Sequence, residues 1–400
     1  MRRIKVGDLR IGEAERQAVM DVLDSDYISE NSRVREFESK FSEYLGVCSS
    51  VALNSGTSAL IAGLTSLAYL GRGCVGTGTK VITTPLTYVA TANAIGLSGM
   101  EPVFADIGAD GFNIDPERIS SILEDAYDPA EYSVILPVHL MGYPCDMDRI
   151  NGIARKHGLV VVEDSAQAHG SLYKGDRTGS LSTFSAFSFY IAHNIQAGEF
   201  GALGTDDAEL AEMVRKVKSN GRIRNYSPCM YPGSSGTSDD YFRYDLSFEH
   251  DVVGYNFKCS EIHSALALMQ LGRAEDIRRM RLENFKYLLD GLSGLDGVFE
   301  LPPYDGDVSY FAFPLVLREG VGLDRENIRF KLYEDGIETR PMFGCIPTYH
   351  RAYSHLKRDY DGLLPNAERV GSRGFYLGCH QYLSTDDLDY VIRRLRSYCT

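Results

Sequence analysis

The stretch Phe184–Thr205, FSAFSFYIAHNIQAGEFGALGT, decides how the rest of the chain is read. It opens as a short apolar run, breaks at a turn, and returns through a Gly-punctuated segment to a second apolar run. Ser188 sits between aromatics, where its hydroxyl can serve a buried anion. His193 follows in the turn. Gly198 and Gly201 let backbone or ligand approach closely. The residue types mark a site without naming its ligand.

Upstream, short β-branched runs recur at Lys80–Thr84, Pro102–Asp106, Val134–His139 and Val160–Asp164. They alternate with helix-like segments such as Asp148–His157, which predicts an α/β fold with a large, mostly parallel sheet wrapped by helices. Such sheets bind ligands at the carboxyl ends of their strands. Tyr88, Asp164 and Gln167 fall at or just after strand ends. In Val51–Leu60, VALNSGTSAL, an apolar run meets a Gly-Thr-Ser turn that opens a helix. Free N–H groups and hydroxyls there favour an anion such as phosphate. An ordinary Ser/Thr cap would read the same way.

Helical periodicity is also present in Gly12–Leu23, Val34–Leu45, Glu261–Leu271 and Ala274–Leu292. The last is expected to link a large domain, residues 1–292, to a smaller C-terminal α/β domain, residues 293–400. That second part reads as a strand at Ala312–Leu317 and helices at Arg325–Asp335 and Thr385–Tyr398. Residues 219–256 are rich in Gly, Ser, Asp and Tyr, and Ser227–Asp239 reads as a loop.

The 400 residues are 44% hydrophobic and 24% charged, which suits a globular protein with a large core. A net charge of −14 argues against a general nucleic-acid partner. No apolar run approaches membrane-spanning length. The N-terminus, MRRIKVGDLRIGEAERQAV, has no apolar signal-peptide core, so a cytoplasmic location is expected. Eight scattered cysteines without a CxxC pair predict unlinked thiols and no metal site.

Glu163–Gly170, EDSAQAHG, taken with Phe184–Thr205, resembles the DegT/DnrJ/EryC1/StrS family of sugar aminotransferases, which use pyridoxal 5'-phosphate (PLP). In that family an E-D-x-A-Q-x-x-G block precedes S-F-x-x-x-K-N. The resemblance implies a type I PLP-dependent aminotransferase-like fold and a homodimer with shared active sites. It places Asp164 beside the pyridine nitrogen of the cofactor and Gln167 on its phenolic oxygen. It puts Thr57, Ser58 and Ser188 on the phosphate and stacks Tyr88 on the ring. Asn256, in a G-x-N element, would complete the phosphate site from the partner subunit through the inter-subunit loop 219–256. Two residues later the family commonly has Arg. Lys258 stands here instead, keeping the charge but losing the bidentate fork. On residue type alone, Asp164 also fits a helix cap or metal ligand, and Tyr88 a core aromatic.

The family's cofactor-binding lysine is replaced by His193, and no Lys lies between Lys174 and Lys216. One small branch resembles this arrangement: the PLP-dependent sugar 3-dehydratases. Gly378–Gln381, GCHQ, is similar to a G-x-H-Q run near the end of those proteins. By the same resemblance Arg224 and Phe248 would come from the partner subunit and meet the sugar nucleotide, and Arg224 suits a diphosphate. The region just after the G-R turn offers only Cys229 in place of a close-set cysteine group, so the iron–sulfur cluster of one relative is not expected here.

The activity implied is removal of the C3 hydroxyl from a nucleotide-linked 4-keto-6-deoxy sugar. The cofactor would act as pyridoxamine 5'-phosphate (PMP), made by transamination from L-glutamate, with His193 as base. Two alternatives stay open: a sugar aminotransferase that tolerates His as base, and a non-catalytic homologue that binds a nucleotide sugar.

Overall fold

The computed structural model describes residues 3–223 and 248–399. The strands in chain order are β1 (Ser49–Leu53), β2 (Lys80–Thr83), β3 (Glu101–Phe104), β4 (Tyr132–Leu136) and β5 (Val160–Asp164). A small hairpin, β6 (Leu172–Tyr173) and β7 (Asp176–Arg177), precedes β8 (Phe184–Ser188) and β9 (Gly201–Thr205). Seven of these form one sheet in the order β1-β9-β8-β5-β4-β2-β3. All its pairings are parallel except those of β9, which runs against both β1 and β8. The segment between β8 and β9 has no helix, so the chain turns straight back. A parallel partner would need a crossover connection.

The inner strands are continuous apolar runs because helices cover both faces. Helix Gly56–Leu70 is apolar nearly all round and buried along most of its length. It can lie close to the sheet because position 63 is glycine: a Cβ there would sit 2.3 Å from the Phe184 ring. On the other side, helix Glu261–Leu271 packs with the N-terminal helices Glu13–Asp24 and Ser32–Leu45. The buried Glu261 carboxylate accepts the N–H groups of Asn31, Arg33 and Val34 at 2.8, 2.8 and 3.0 Å. It thereby satisfies donors that the start of helix Ser32–Leu45 leaves open, where Asn31 makes no side-chain cap.

Helix Ala274–Leu292 runs on to a second, antiparallel sheet of β10 (Phe299–Glu300), β11 (Phe313–Leu317), β12 (Thr339–Pro341) and β13 (Gly374–Leu377), ordered β10-β11-β13-β12. Its core gathers Phe285, Leu288, Leu292, Phe313, Leu332, Phe375 and Leu395. The N-terminal segment serves both bodies: Ile4 packs in this cluster and pairs with Ile337, whereas Val6 packs in the main one. Among the described residues, no helix is long and apolar enough to cross a membrane. No cluster of His, Cys, Asp and Glu among them is suited to a metal ion.

Candidate active site

The carboxyl ends of β5 and β8 and the start of the helix after β1 meet at one place. Asp164 ends β5, pairs with Ala186 of β8, and is buried. Its Oδ2 accepts the Thr91 hydroxyl at 2.8 Å and its Oδ1 accepts the Ala166 N–H at 3.2 Å. The Thr91 hydroxyl also meets that of Thr87 at 3.0 Å. Burial pushes the Asp164 carboxyl above the usual carboxylate range, against these two hydrogen bonds and His139. A carboxylate in such a place is held ionised by a cationic N–H partner. Gln167 is buried nearby, and its Oε1 accepts the Met141 N–H at 2.9 Å. That bond fixes the amide, leaving its NH2 group as the donor side.

Glu163, the neighbour of Asp164, is structural. It accepts the N–H groups of Gly179 and Leu181 and the Ser182 hydroxyl, and it meets His139 Nε2 at 2.8 Å.

The helix that begins at Gly56 points its N-terminus at the end of β8. Ser55 caps it, accepting the Ser58 N–H at 3.1 Å and donating to the Ser58 hydroxyl at 2.9 Å. Close approach is enforced by two glycines. A Cβ on Gly56 would lie 2.8 Å from Ser188 Cβ, and one on Gly201 would lie 2.2 Å from the Ser55 carbonyl carbon. Ser58, Thr57 and Ser188 are therefore brought to one helix N-terminus, where N–H groups and the helix dipole favour an anion.

His193 stands on the turn that joins β8 to β9. The hairpin continues past the strands through Phe189 N–H to Phe200 O at 2.9 Å and Ala197 N–H to Phe189 O at 2.8 Å. Within it, His193 N–H donates to Tyr190 O at 2.8 Å, and Asn194 Nδ2 donates to Ser309 O and Oγ at 3.1 and 2.8 Å. The half-buried imidazole places Nδ1 2.6 Å from the Ser188 carbonyl oxygen. A carbonyl only accepts, so Nδ1 carries the proton and Nε2 keeps a lone pair. Burial drives the imidazole down to about 4, and the positive charges of Arg281 and Arg340 push the same way, against the Ser188 bond. His193 is a neutral base near pH 7.

Lys218, a fully buried lysine, is committed elsewhere. Its ammonium is 2.8 Å from Glu30, 2.9 Å from the Ala52 carbonyl and 3.6 Å from Glu38, and these acids raise its pKa against burial. His169 is buried against Phe187 and Phe189, with its ring 6.1 Å from that of His193.

Tyr88 is exposed, with its ring edge toward Phe343 at 6.2 Å. Asn256 pairs with Ser219 in an isolated bridge and is exposed. Phe248 is also exposed, with the Arg222 guanidinium over its ring at 5.7 Å. Within one chain, then, Thr57, Ser58, Asp164, Gln167, Ser188 and His193 gather. Asn256 and Phe248 sit on outer surface, and Arg224 lies outside the described residues.

Sequence reasoning missed Thr91, which holds Asp164, and Arg281, whose Nη2 reaches the His193 carbonyl at 3.4 Å. A signal for Arg281 existed. It occupies the buried stripe Ile277, Arg281, Phe285, Leu288, Leu292 of its helix.

The model of the DegT/DnrJ/EryC1/StrS aminotransferase family matches residues 9–396. The chain belongs to that family. It is 30% identical to the dTDP-4-dehydro-2,6-dideoxy-D-glucose 3-dehydratase of Saccharopolyspora spinosa, over 97% of this chain and 85% of that one. It is 32% identical to the GDP-perosamine synthase of Caulobacter vibrioides, over 98% and 97% of the two chains. Among solved structures, the E. coli GDP-4-keto-6-deoxy-D-mannose-3-dehydratase with bound hydrated PLP superposes with a TM-score of 0.86. It is 25% identical, over 99% of this chain and all of that one. The type I aminotransferase-like fold expected from the resemblance is thus the fold of this DegT/DnrJ/EryC1/StrS member.

Proposed function

We propose that this chain is a 3-dehydratase of a nucleotide-linked 4-keto-6-deoxy sugar, using PLP in its PMP form, with His193 as the base. The observation that carries the reading is the His193 imidazole: neutral, anchored through Nδ1, and presenting a free Nε2 where the family resemblance expects a lysine. Similarity to 3-dehydratases in both sequence and structure supports it.

The residues fit the cofactor. The helix N-terminus with Thr57, Ser58 and Ser188 would hold the phosphate. Asp164, with acceptor capacity left after its two bonds, would keep a proton on the pyridine nitrogen. Gln167 would donate from Nε2 to the phenolic oxygen, and Tyr88 would cover a ring face. The bound cofactor supplies an electron-accepting ring and an amine able to join a sugar ketone. His193 would supply proton transfer: Nε2 would take the proton from the cofactor carbon that bears the amine and would hand it to the departing C3 hydroxyl, which leaves as water, with the imidazolium in between steadied by its Nδ1 bond to the Ser188 carbonyl. An imidazole makes no stable covalent link of the lysine kind, so the amine form stays available to the sugar. We infer a cytoplasmic homodimer, with L-glutamate as amino donor and Asn256, Phe248 and Arg224 reaching the partner's site.

A second reading, C4 amination, is favoured by similarity to GDP-perosamine synthases. Product mass separates the two. With PLP, L-glutamate and a 4-keto-6-deoxy nucleotide sugar, dehydration gives a ketone that lacks the C3 oxygen, whereas amination replaces the C4 oxygen by an amine and retains the C3 oxygen. Borohydride treatment of the PLP-loaded protein should leave the denatured mass unchanged. An adduct on one lysine would move amination ahead.

A further inference from the structure

Arg281 is fully buried in the middle of helix Ala274–Leu292, and none of its hydrogen-bond acceptors is a carboxylate. Nη1 donates to the carbonyls of Tyr310 and Phe311 at 3.2 and 2.8 Å, and Nη2 to that of His193 at 3.4 Å. Nε donates to Gln381 Oε1 at 3.2 Å. Gln381 closes the GCHQ run, which the proposed chemistry leaves without a role. A buried charge is costly unless its hydrogen bonds are well satisfied, and removing it from the chain would leave buried carbonyls unpaired. The guanidinium therefore has the task of pairing these carbonyls, one of which is that of His193.

The task lies at the His193 carbonyl. That carbonyl belongs to the same residue as the imidazole, and the same guanidinium ties it to β11's approach (Tyr310, Phe311) and to the GCHQ run. We propose that Arg281, oriented by Gln381, is a positioning residue for His193: it fixes the turn that aims Nε2 and keeps a positive charge behind the imidazole. This rests on the reading of His193 as the base. The groups facing His193 are the Ser188 carbonyl, His169, Tyr190, Phe311, Arg281 and Arg340. Of these, the arginines are the cations whose removal should ease its protonation. Arg340 is also engaged by Glu338 at 3.0 Å, while Arg281 meets no carboxylate among its hydrogen-bond partners, only the Cys379 thiol, which burial keeps protonated.

The test reads His193 directly, without turnover. Protein with isotope-labelled histidine is titrated by NMR, and the His193 signal is assigned by its loss in His193→Asn. Wild type should show the Nδ1–H tautomer. In Arg281→Met the imidazole should titrate about 0.5–1 pH unit higher and lose tautomer purity. Gln381→Glu, which keeps the hydrogen bond but sets a carboxylate on the guanidinium, should raise the titration while leaving the tautomer intact. Arg281→Lys should keep the titration near wild type and blur the tautomer. Melting temperature is followed throughout; if Arg281→Met does not fold, Gln381→Glu and Arg281→Lys decide. An unmoved titration in Gln381→Glu together with an unmoved tautomer in Arg281→Lys overturns the proposal. Sugar dehydration by wild type is assayed in parallel. A protein that does not dehydrate but whose His193 responds as stated refutes the function and leaves the positioning role standing.

Discussion

Asp164 and His193 are both titratable groups that burial drives toward the neutral form, yet the chain holds them in opposite ways. Asp164 is locked into the sheet: its N–H donates to Pro137 O at 3.0 Å and its carbonyl accepts the His139 N–H at 3.1 Å. Its carboxylate is served by neighbours from the next loop and helix. His193 stands on a turn whose shape depends on distant parts of the chain: Ser309, Arg281, and residues near the N-terminus, where a Cβ on Gly7 would strike Ala192 at 2.7 Å. The first group is placed by secondary structure and the second by tertiary contact. The difference suits their proposed work. A carboxylate that waits for a cationic N–H needs only a fixed strand end. A base must be aimed and must stay neutral.

The largest expected effect breaks the His193 side alone. His193→Asn can keep a hydrogen bond to the Ser188 carbonyl but has no basic nitrogen. Sugar dehydration should fall about 10²–10⁴-fold, as for loss of a general base, while PLP absorbance on titration is retained. Undiminished dehydration would remove His193 from the mechanism. Next in size is Asp164→Asn, on the other side of the comparison. Loss of a charge-assisted hydrogen bond should weaken cofactor binding by about 1.5–3 kcal/mol, read as a 10- to 150-fold rise in the PLP dissociation constant. Equal PLP affinity in the two proteins would mean that Asp164 does not meet the ring nitrogen.

A smaller effect tests the cradle between them. Gly201→Ala would put a Cβ 2.2 Å from Ser55 backbone, so the helix N-terminus must shift away from β8. Stability should drop by about 1–3 kcal/mol, and PLP should protect less against heat than in wild type. Full protection would show that the phosphate does not depend on that close approach.

The same contrast explains what could be read from sequence. Glu261–Leu271 and Ala274–Leu292 appear with the expected bounds because each is a helical run of sustained periodicity, and Val160–Asp164 because it is a short β-branched apolar run. The strand expected at Val134–His139 is Tyr132–Leu136, ending before Pro137, which cannot donate to the ladder. The mostly parallel sheet followed from alternating strands and helices. The antiparallel insertion of β9 between β1 and β8 did not, since a pattern of apolar residues carries no direction. In the site, Asp164, Gln167 and Ser188 lie in contiguous motifs and were legible. Arg281 was not, because a buried arginine inside RRMRLENF looks like its solvated neighbours until its helical phase is followed. A residue that supports a site from across the chain marks itself here only by the phase of its own helix.

The last prediction sets the two groups against each other through the pH dependence of stability. The folded His193 protonates at about 4 against 6.5 when unperturbed, so between these values the unfolded chain binds more protons than the folded one. Its contribution is fully present above about 6.5 and is lost as pH falls toward 4. His380, also held down to about 4 by burial and the Arg281 charge, and His169, buried beside His193, act with the same sign. Asp164 has the opposite sign. Its folded carboxyl holds a proton more tightly than the usual carboxylate, so it favours the folded state at low pH and loses that contribution as pH rises through its raised value. Thermal midpoints of the cofactor-free protein followed across this range should therefore fall less steeply with acid in His193→Asn, by about 1–2 kcal/mol at the acid end. In Asp164→Asn they should fall more steeply, because the opposing carboxyl is gone. Bound PLP should shrink the Asp164→Asn difference, since a protonated ring nitrogen beside Asp164 favours its ionised form. It should leave the His193→Asn difference in place. If both substitutions tilt the curve the same way, burial does not act on the two groups as the structure implies.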